Sequence, residues 1–367
     1  LSNEGVTVLR YSKVITVLVL IIFVLAALSL VDGCAKKPAP KPLPGDLGNQ
    51  RSAEKPPRQV IGYYENPWPG TPEKTGSFPS MKTFAKSMSA VGPFWYSAEK
   101  DGTLQTKESQ LVYDTAKGLG LKMYPLVTNK PDATDLVIGD AGIRSKTIDN
   151  IVKVVTERNY DGVNIDFELL PQKHRDNLTA FMAELYPKMK AANKTVIISV
   201  FPQVDVTPDV AGAYDYPALA KNADFLQIML YDHHWSTSPP GPVAPVDWYE
   251  KNVKYAVDTI GANKVIAGIS AYGYDWPKGG GPGKDVTYVD AIVKAEQKGA
   301  QIEYDTASQA PHYSYDDHEV WFENDKSTAA KLDILAKYDP AGVAIWRLGQ
   351  EQPEIWPIID QKFPKQQ

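Results

Sequence analysis

Short apolar runs rich in Val, Ile and aromatic residues recur along the chain from residue 60 onward, at 60–64, 88–96, 121–127, 162–168, 195–201, 225–231, 265–271 and 342–348. Between them the apolar spacing changes to a helical one. Ile148, Ile151, Val152 and Val155 fall at i, i+3, i+4 and i+7, and Leu178, Phe181, Met182 and Leu185 repeat that pattern. Strand signals alternating with amphipathic helices predict an α/β fold, a (β/α)8 TIM barrel. An open doubly wound sheet is the competing class, and the lack of a Gly-rich phosphate fingerprint after the first run counts against it. One connection breaks the rhythm. Residues 276–338 hold more chain than a crossover helix needs: a Gly/Pro-rich hinge at 279–283, a helical pattern from 288 to 298, and strand-like pieces at 301–304, 312–315 and 319–322. These predict a small α+β insertion between strands 7 and 8, at about 277–325, on the C-terminal face of the barrel. No repeat of solenoid length is present.

The first 58 residues do not share this pattern. Arg10 and Lys13 precede an uncharged apolar run at 14–31, which reads as an export signal and is long enough for an uncleaved anchor. Cys34 is the single cysteine, so it forms no internal disulfide. Its setting, Leu30-Val31-Asp32-Gly33-Cys34, resembles a bacterial lipoprotein box, with Asp32 as a departure. Lipidation at Cys34 and an uncleaved anchor are both open; either tethers the protein to the cell membrane on its outer side. Residues 35–58, rich in Pro and Lys, form a flexible tether, and the folded domain is expected at 59–367.

Composition adds one exclusion. The formal net charge is −5, which speaks against a nucleic-acid-binding surface. The 20 Tyr and 8 Trp suit either core packing or stacking against sugars.

Candidate chemistry concentrates in the fourth run, Tyr160-Asp161-Gly162-Val163-Asn164-Ile165-Asp166-Phe167-Glu168. On a strand, Val163, Ile165 and Phe167 share one face and Asn164, Asp166 and Glu168 the other. In a barrel the apolar face meets the helices and the polar face points inward, ending at the C-terminal mouth where barrel active sites lie. Buried carboxylates are costly without a task. Side chains two apart on one strand sit roughly 6.6–7 Å apart at Cα and point the same way. A two-carboxylate glycosidase needs its groups on opposite sides of the scissile bond. Asp166 is therefore poorly placed as a nucleophile, yet its charge raises the pKa of Glu168 and favours a protonated acid. Some group other than an enzyme carboxylate must attack.

The segment Asp161 to Glu168 resembles the DGxDxDxE signature of glycoside hydrolase family 18, a family that uses substrate assistance. The resemblance implies that the 2-acetamido oxygen of an N-acetylglucosamine attacks its own anomeric carbon. Glu168 then serves as acid and base, and Asp166 holds the acetamido N–H. Gln227-Ile228-Met229-Leu230-Tyr231-Asp232 resembles the family's sixth-strand segment, which implies that Tyr231 contacts the acetamido oxygen, with Met229 and Asp232 lining the site. Gly342-Val343-Ala344-Ile345-Trp346 resembles the eighth strand, whose Trp floors the sugar, and Tyr63 occupies the usual first-strand aromatic position. Asn164, also a substrate-binding candidate, stands where many members carry Asp, so it cannot share a proton with Asp166.

Gly273-Tyr274-Asp275-Trp276 and Trp346-Arg347-Leu348-Gly349 resemble the bacterial spore-cortex and peptidoglycan N-acetylglucosaminidase branch. Peptidoglycan, a chitin-type oligomer, and a silent wall-binding role remain as readings, the last opposed by the presence of Glu168. His233 and His234 are adjacent, so their side chains diverge, and no second ligand motif accompanies them. They read as loop residues, with no metal or cofactor expected. Trp95, Trp235 and Trp276 are candidates for sugar stacking or for packing. The chain is expected to act as a monomer on a polysaccharide.

Overall fold

The computed structural model describes residues 57–66 and 76–365. Eight parallel strands close on themselves: Gln59–Tyr64, Ala90–Ala98, Leu126–Thr128, Gly162–Asp166, Thr195–Val200, Phe225–Ile228, Val265–Ser270 and Gly342–Trp346. The first pairs with both the eighth and the second, which completes the barrel. This is the predicted (β/α)8 architecture. The third strand is broken by Pro125, which has no N–H for the ladder, leaving Lys122–Met123 as a separate short piece.

The two-residue period divides each strand between two cores. Val163, Ile165 and Phe167 face outward into the shell of helices, together with Val196, Ile198, Leu226 and Ile228. The helix Arg175–Ala191 meets that layer with Leu178, Phe181, Met182 and Leu185, all fully buried, and Phe181 stacks edge-on against Phe167 at 5.1 Å. Burial of each such side chain contributes about 1.5–3 kcal/mol. Inward residues form a second, smaller core of Ile61, Tyr63, Leu126, Ile197, Phe225, Ile266 and Ala344, which plugs the barrel below its C-terminal mouth.

The insertion differs from its sequence outline. Its antiparallel sheet has five strands and starts at Tyr272, one residue past the seventh barrel strand: Tyr272–Pro277, Lys284–Thr287, Glu303–Asp305, Ala310–Tyr315 and His318–Trp321. The glycines at 279–283 are the tip of the hairpin between its first two strands rather than a hinge, and Gly280 and Gly281 have φ of 92° and 119°, which suits glycine. The helix Tyr288–Lys298 is capped by a Thr287–Asp290 box and ends on left-handed Gly299. It packs on Val286, Tyr313, Val320 and Phe322 through Ala291 and Ala295.

No helix among the described residues is long and apolar enough to cross a membrane. The apolar run at 14–31, Cys34 and the tether up to residue 56 lie outside the described residues.

A buried ion pair ties the insertion to the barrel. Lys331 Nζ lies 2.7 Å from Glu323 Oε2, with side-chain exposures of 1% and 2%, and Ser270 Oγ donates to Glu323 Oε1 at 3.4 Å. Lys331→Met strands the Glu323 charge and should destabilise the fold by about 3–5 kcal/mol. Adding Glu323→Gln should recover part of that loss in denaturant melts. A single mutant as stable as the parent would show that the pair is not held dry.

Candidate active site

Strand ends at the barrel mouth enclose a cavity of about 220 Å³ lined by Tyr63, Leu126, Asp166, Glu168, Ser199, Phe201, Gln227, Met229, Tyr231, Asp232 and Trp346. A second hollow of about 520 Å³, on the side of Asn129, Leu169 and Pro171, shares Asp166 and Glu168 with the first. The two carboxyls thus stand where two hollows meet. Every described site residue named from the sequence except Asn164 lines the first cavity.

Glu168 lies past the last ladder residue of its strand, and other elements fix it there. Asn129 accepts from the Glu168 backbone N–H at 2.8 Å and donates to its carbonyl at 3.1 Å, while the Tyr214 hydroxyl donates to the Phe167 carbonyl at 2.8 Å. Next in the chain, Leu169 takes a left-handed φ of 51° and projects into the second hollow, two-thirds exposed.

Burial is the first cause that raises the Glu168 pKa, with the charges of Asp166 and then Asp232 adding to it. The like charge of Asp166 expected from the sequence is thus the second cause. Both matter, but taking the carboxyl out of water is the larger effect. Asp166 is also raised by burial, against hydrogen bonding with Ser199 and Glu168, and its buried Oδ2 has no hydrogen-bond partner.

Asn164 sits one layer deeper than expected. It is 1% exposed and does not line the cavity. Its Nδ2 donates to the Tyr63 hydroxyl at 2.9 Å and to Ser199 Oγ at 3.0 Å. It bonds to cavity-lining groups without lining the cavity itself, because it lies a full strand period below Asp166. Tyr63 packs 5.4 Å from Trp346, whose other side meets Phe94 at 6.0 Å.

Beyond Ile228 the sixth strand leaves its ladder. The Leu230 N–H turns back to the Ile228 carbonyl at 3.0 Å, and Asp232 has φ of 58°. This departure delivers both Tyr231 and Asp232 to the cavity. Asp232 Oδ1 accepts from the hydroxyls of Tyr272 at 2.6 Å and Tyr274 at 3.1 Å, both on the first insertion strand.

Two glycines make room for these side chains. A Cβ on Gly92 would lie 2.7 Å from the Tyr63 ring, and one on Gly268 would lie 2.8 Å from Gln227 Nε2 and 2.9 Å from the Tyr231 ring. Glycine inside a strand signals such close approach, and that signal, together with the inward phase of Ser199 and Gln227, was available from the sequence. Asn129 and Tyr214 carried no comparable signal.

Of the aromatic candidates, Trp95 and Trp276 are buried and bonded to Asn66 Oδ1 and the Trp235 carbonyl, whereas Trp235 is half exposed. His233 packs on Trp248 and His234 Nδ1 lies 3.0 Å from the Pro239 carbonyl oxygen.

Several known proteins resemble this chain in sequence and fold. The chain is 27% identical to the cortical fragment-lytic enzyme of Bacillus subtilis over 290 residues, 74% of this chain and 67% of that one. The crystal structure of the Bacillus megaterium spore cortex-lytic enzyme SleL superposes with a TM-score of 0.76 at 26% identity, covering 83% of this chain and 74% of that one. A chitinase from Chromobacterium violaceum superposes with a TM-score of 0.75 at 29% identity, covering 83% and 98%. Residues 77–351, which include every cavity-lining residue except Tyr63, match the model for glycosyl hydrolases family 18, and the chain belongs to that family of glycoside hydrolases.

Proposed function

We propose that this enzyme hydrolyses β-1,4 bonds beside N-acetylglucosamine with net retention, by substrate assistance, and that its substrate is bacterial peptidoglycan of the spore cortex or cell wall. The one-sidedness of the carboxylates carries the mechanism. Asp166 and Glu168 rise from a single strand, and the third cavity carboxylate, Asp232, is engaged by two tyrosine hydroxyls. No carboxylate among the described lining residues is left free on the opposite face to attack the sugar.

In the first step the protonated Glu168 gives its proton to the glycosidic oxygen as that oxygen leaves the anomeric carbon. The acetamido oxygen bonds to the same carbon and closes an oxazolinium ring. Asp166 accepts the acetamido N–H and balances the positive charge, a role suited to its unpartnered Oδ2. The Tyr231 hydroxyl donates to the acetamido oxygen, and Trp346 floors the sugar. In the second step the Glu168 carboxylate takes a proton from water, whose oxygen opens the ring from the leaving-group side. The hollow beyond Glu168 supplies space for the leaving sugar and then for the water.

The likeness to cortical fragment-lytic and spore cortex-lytic enzymes supports peptidoglycan as the polymer. The likeness to the Chromobacterium chitinase supports a second reading, hydrolysis of chitin-type oligomers by the same residues. A wall polymer lies outside the cytoplasmic membrane, which fits the export-type segment and tether at the N-terminus.

Digestion of purified peptidoglycan, spore cortex and chitin oligomers, with products read by mass spectrometry, separates the readings. New reducing-end N-acetylglucosamine from peptidoglycan is the expected product; cleavage of chitin oligomers alone would favour the second reading. Glu168→Gln should lower turnover by about 10²–10⁴-fold. Equal activity in mutant and parent would end the assignment.

The pH profile gives an independent check. The acid must be protonated, so kcat/KM falls as pH rises through the raised Glu168 pKa. Asp166→Asn removes the second cause of that rise and leaves burial. The residual activity of this variant should lose its alkaline limb at a lower pH than the parent, yet still above the ordinary Glu range of about 4.3. An unmoved limb would mean that the two carboxyls do not sense each other.

A further inference from the structure

A third hollow, of about 260 Å³, opens beside the cleft and differs from it in charge. It is lined by Phe94, Trp95, Tyr96, Ser97, Gln105, Thr106, Lys107 and Thr128, so it presents a cation and no carboxylate. Phe94 and Thr128 border both this hollow and the one that holds Asp166 and Glu168, and Phe94 also edges Trp346. The positive hollow therefore adjoins the catalytic cleft, with Phe94 and Thr128 as the shared wall. Lys107 Nζ lies 4.4 Å from the centroid of the Phe94 ring.

Other cations around the mouth already have carboxylate partners. Arg347 Nε meets Glu65 Oε2 at 2.8 Å, Lys173 meets Asp135 at 3.0 Å, and Lys130 pairs with Glu99. Lys107 makes no ion pair among the described residues; its ammonium lies over the face of Phe94, and Glu65 acts on it from beyond ion-pair distance. Partial burial lowers its pKa, with Glu65 opposing and Arg347 adding to the shift. A half-buried ammonium with no carboxylate in direct contact gains more from an incoming one than a solvated, paired ammonium does.

The polymer's chemistry supplies such a group. If N-acetylglucosamine occupies the catalytic position of an alternating strand, both neighbouring sugars are N-acetylmuramic acid. Each then carries a lactyl ether arm that ends in a carboxylate once its peptide is removed. In chitin the same oxygen is a plain hydroxyl. We propose that Phe94 and Lys107 form a subsite for a muramic residue, the ring packing against the sugar face and the ammonium holding the carboxylate of its lactyl arm, so that Lys107 selects peptidoglycan over chitin. This rests on the hydrolase reading above and names the feature of the substrate that the cleft discriminates.

The test compares kcat/KM of the full chain on peptide-free peptidoglycan strands with that on chitin oligomers of equal length, for the parent, Lys107→Met and Lys107→Arg. Lys107→Met should lower the ratio about tenfold, the size of a charge-assisted hydrogen bond, and Lys107→Arg should restore most of it. Strands whose lactyl carboxylates have been converted to neutral methyl esters should show the low ratio with every protein. The parent's preference should also weaken with added salt. Equal ratios in all three proteins, with both polymers cut, would overturn this inference and leave the hydrolase reading intact. A parent that cuts chitin oligomers and no muramic strand would overturn the peptidoglycan reading and the inference with it.

Discussion

Asn164 and Asp166 point into the barrel because Val163 and Ile165 must lie under the helices. The strand Gly162–Asp166 has one degree of freedom in this respect, its phase, and the outer core sets it. A slip of one residue would bury Asn164 and Asp166 among Leu178, Phe181 and Met182 and push Val163 and Ile165 into the mouth. The cost of desolvating a carboxylate without partners makes that alternative inaccessible. Active-site geometry is thus enforced from behind, by apolar packing that never touches a sugar.

The same packing makes the site electrostatically unusual. Carboxyls gathered at the end of a closed sheet raise one another's pKa less through their charges than through the loss of water they share. Both Asp166 and Glu168 are pushed up, so the site holds a proton where an isolated exposed carboxyl would have lost it. Hydroxyls and amides do the remaining tuning: Ser199 and Asn164 around Tyr63 and Asp166, and Tyr272 and Tyr274 around Asp232.

Much of this was legible along the chain where the information is local. The period of two in 162–168 identified the inward carboxylates, and the period of 3.6 in 148–155 and 178–185 identified the covering helices. The helix Tyr288–Lys298 had its boundaries written in Thr287, Asp290 and Gly299. The sequence was less informative where distant segments meet. Asn129 fixes Glu168 from 39 positions away, and Asn164 reaches a tyrosine 101 positions distant. The depth of Asn164 below the cavity depends on where the inner plug of Ile61, Leu126 and Phe225 stops, which no single strand records. The onset of the insertion sheet at Tyr272 was hidden for a related reason. Its first strand follows the seventh barrel strand with one residue between them, so the composition does not change at the boundary.

That continuity extends to the site. Tyr272 and Tyr274 belong to the small sheet, yet their hydroxyls grip Asp232 on the sixth-strand loop. One wall of the cleft is therefore built from two sheets that join at Ala271, whose N–H donates to the carbonyl of Trp346 at 2.8 Å. Any change in the small sheet therefore reaches Asp232, and through its charge the acid Glu168, although no atom of that sheet lies on the strand that carries Asp166. Two sheets thus meet in one wall, so substitutions in the small sheet can reshape that wall while the strand Gly162–Asp166 keeps its own packing.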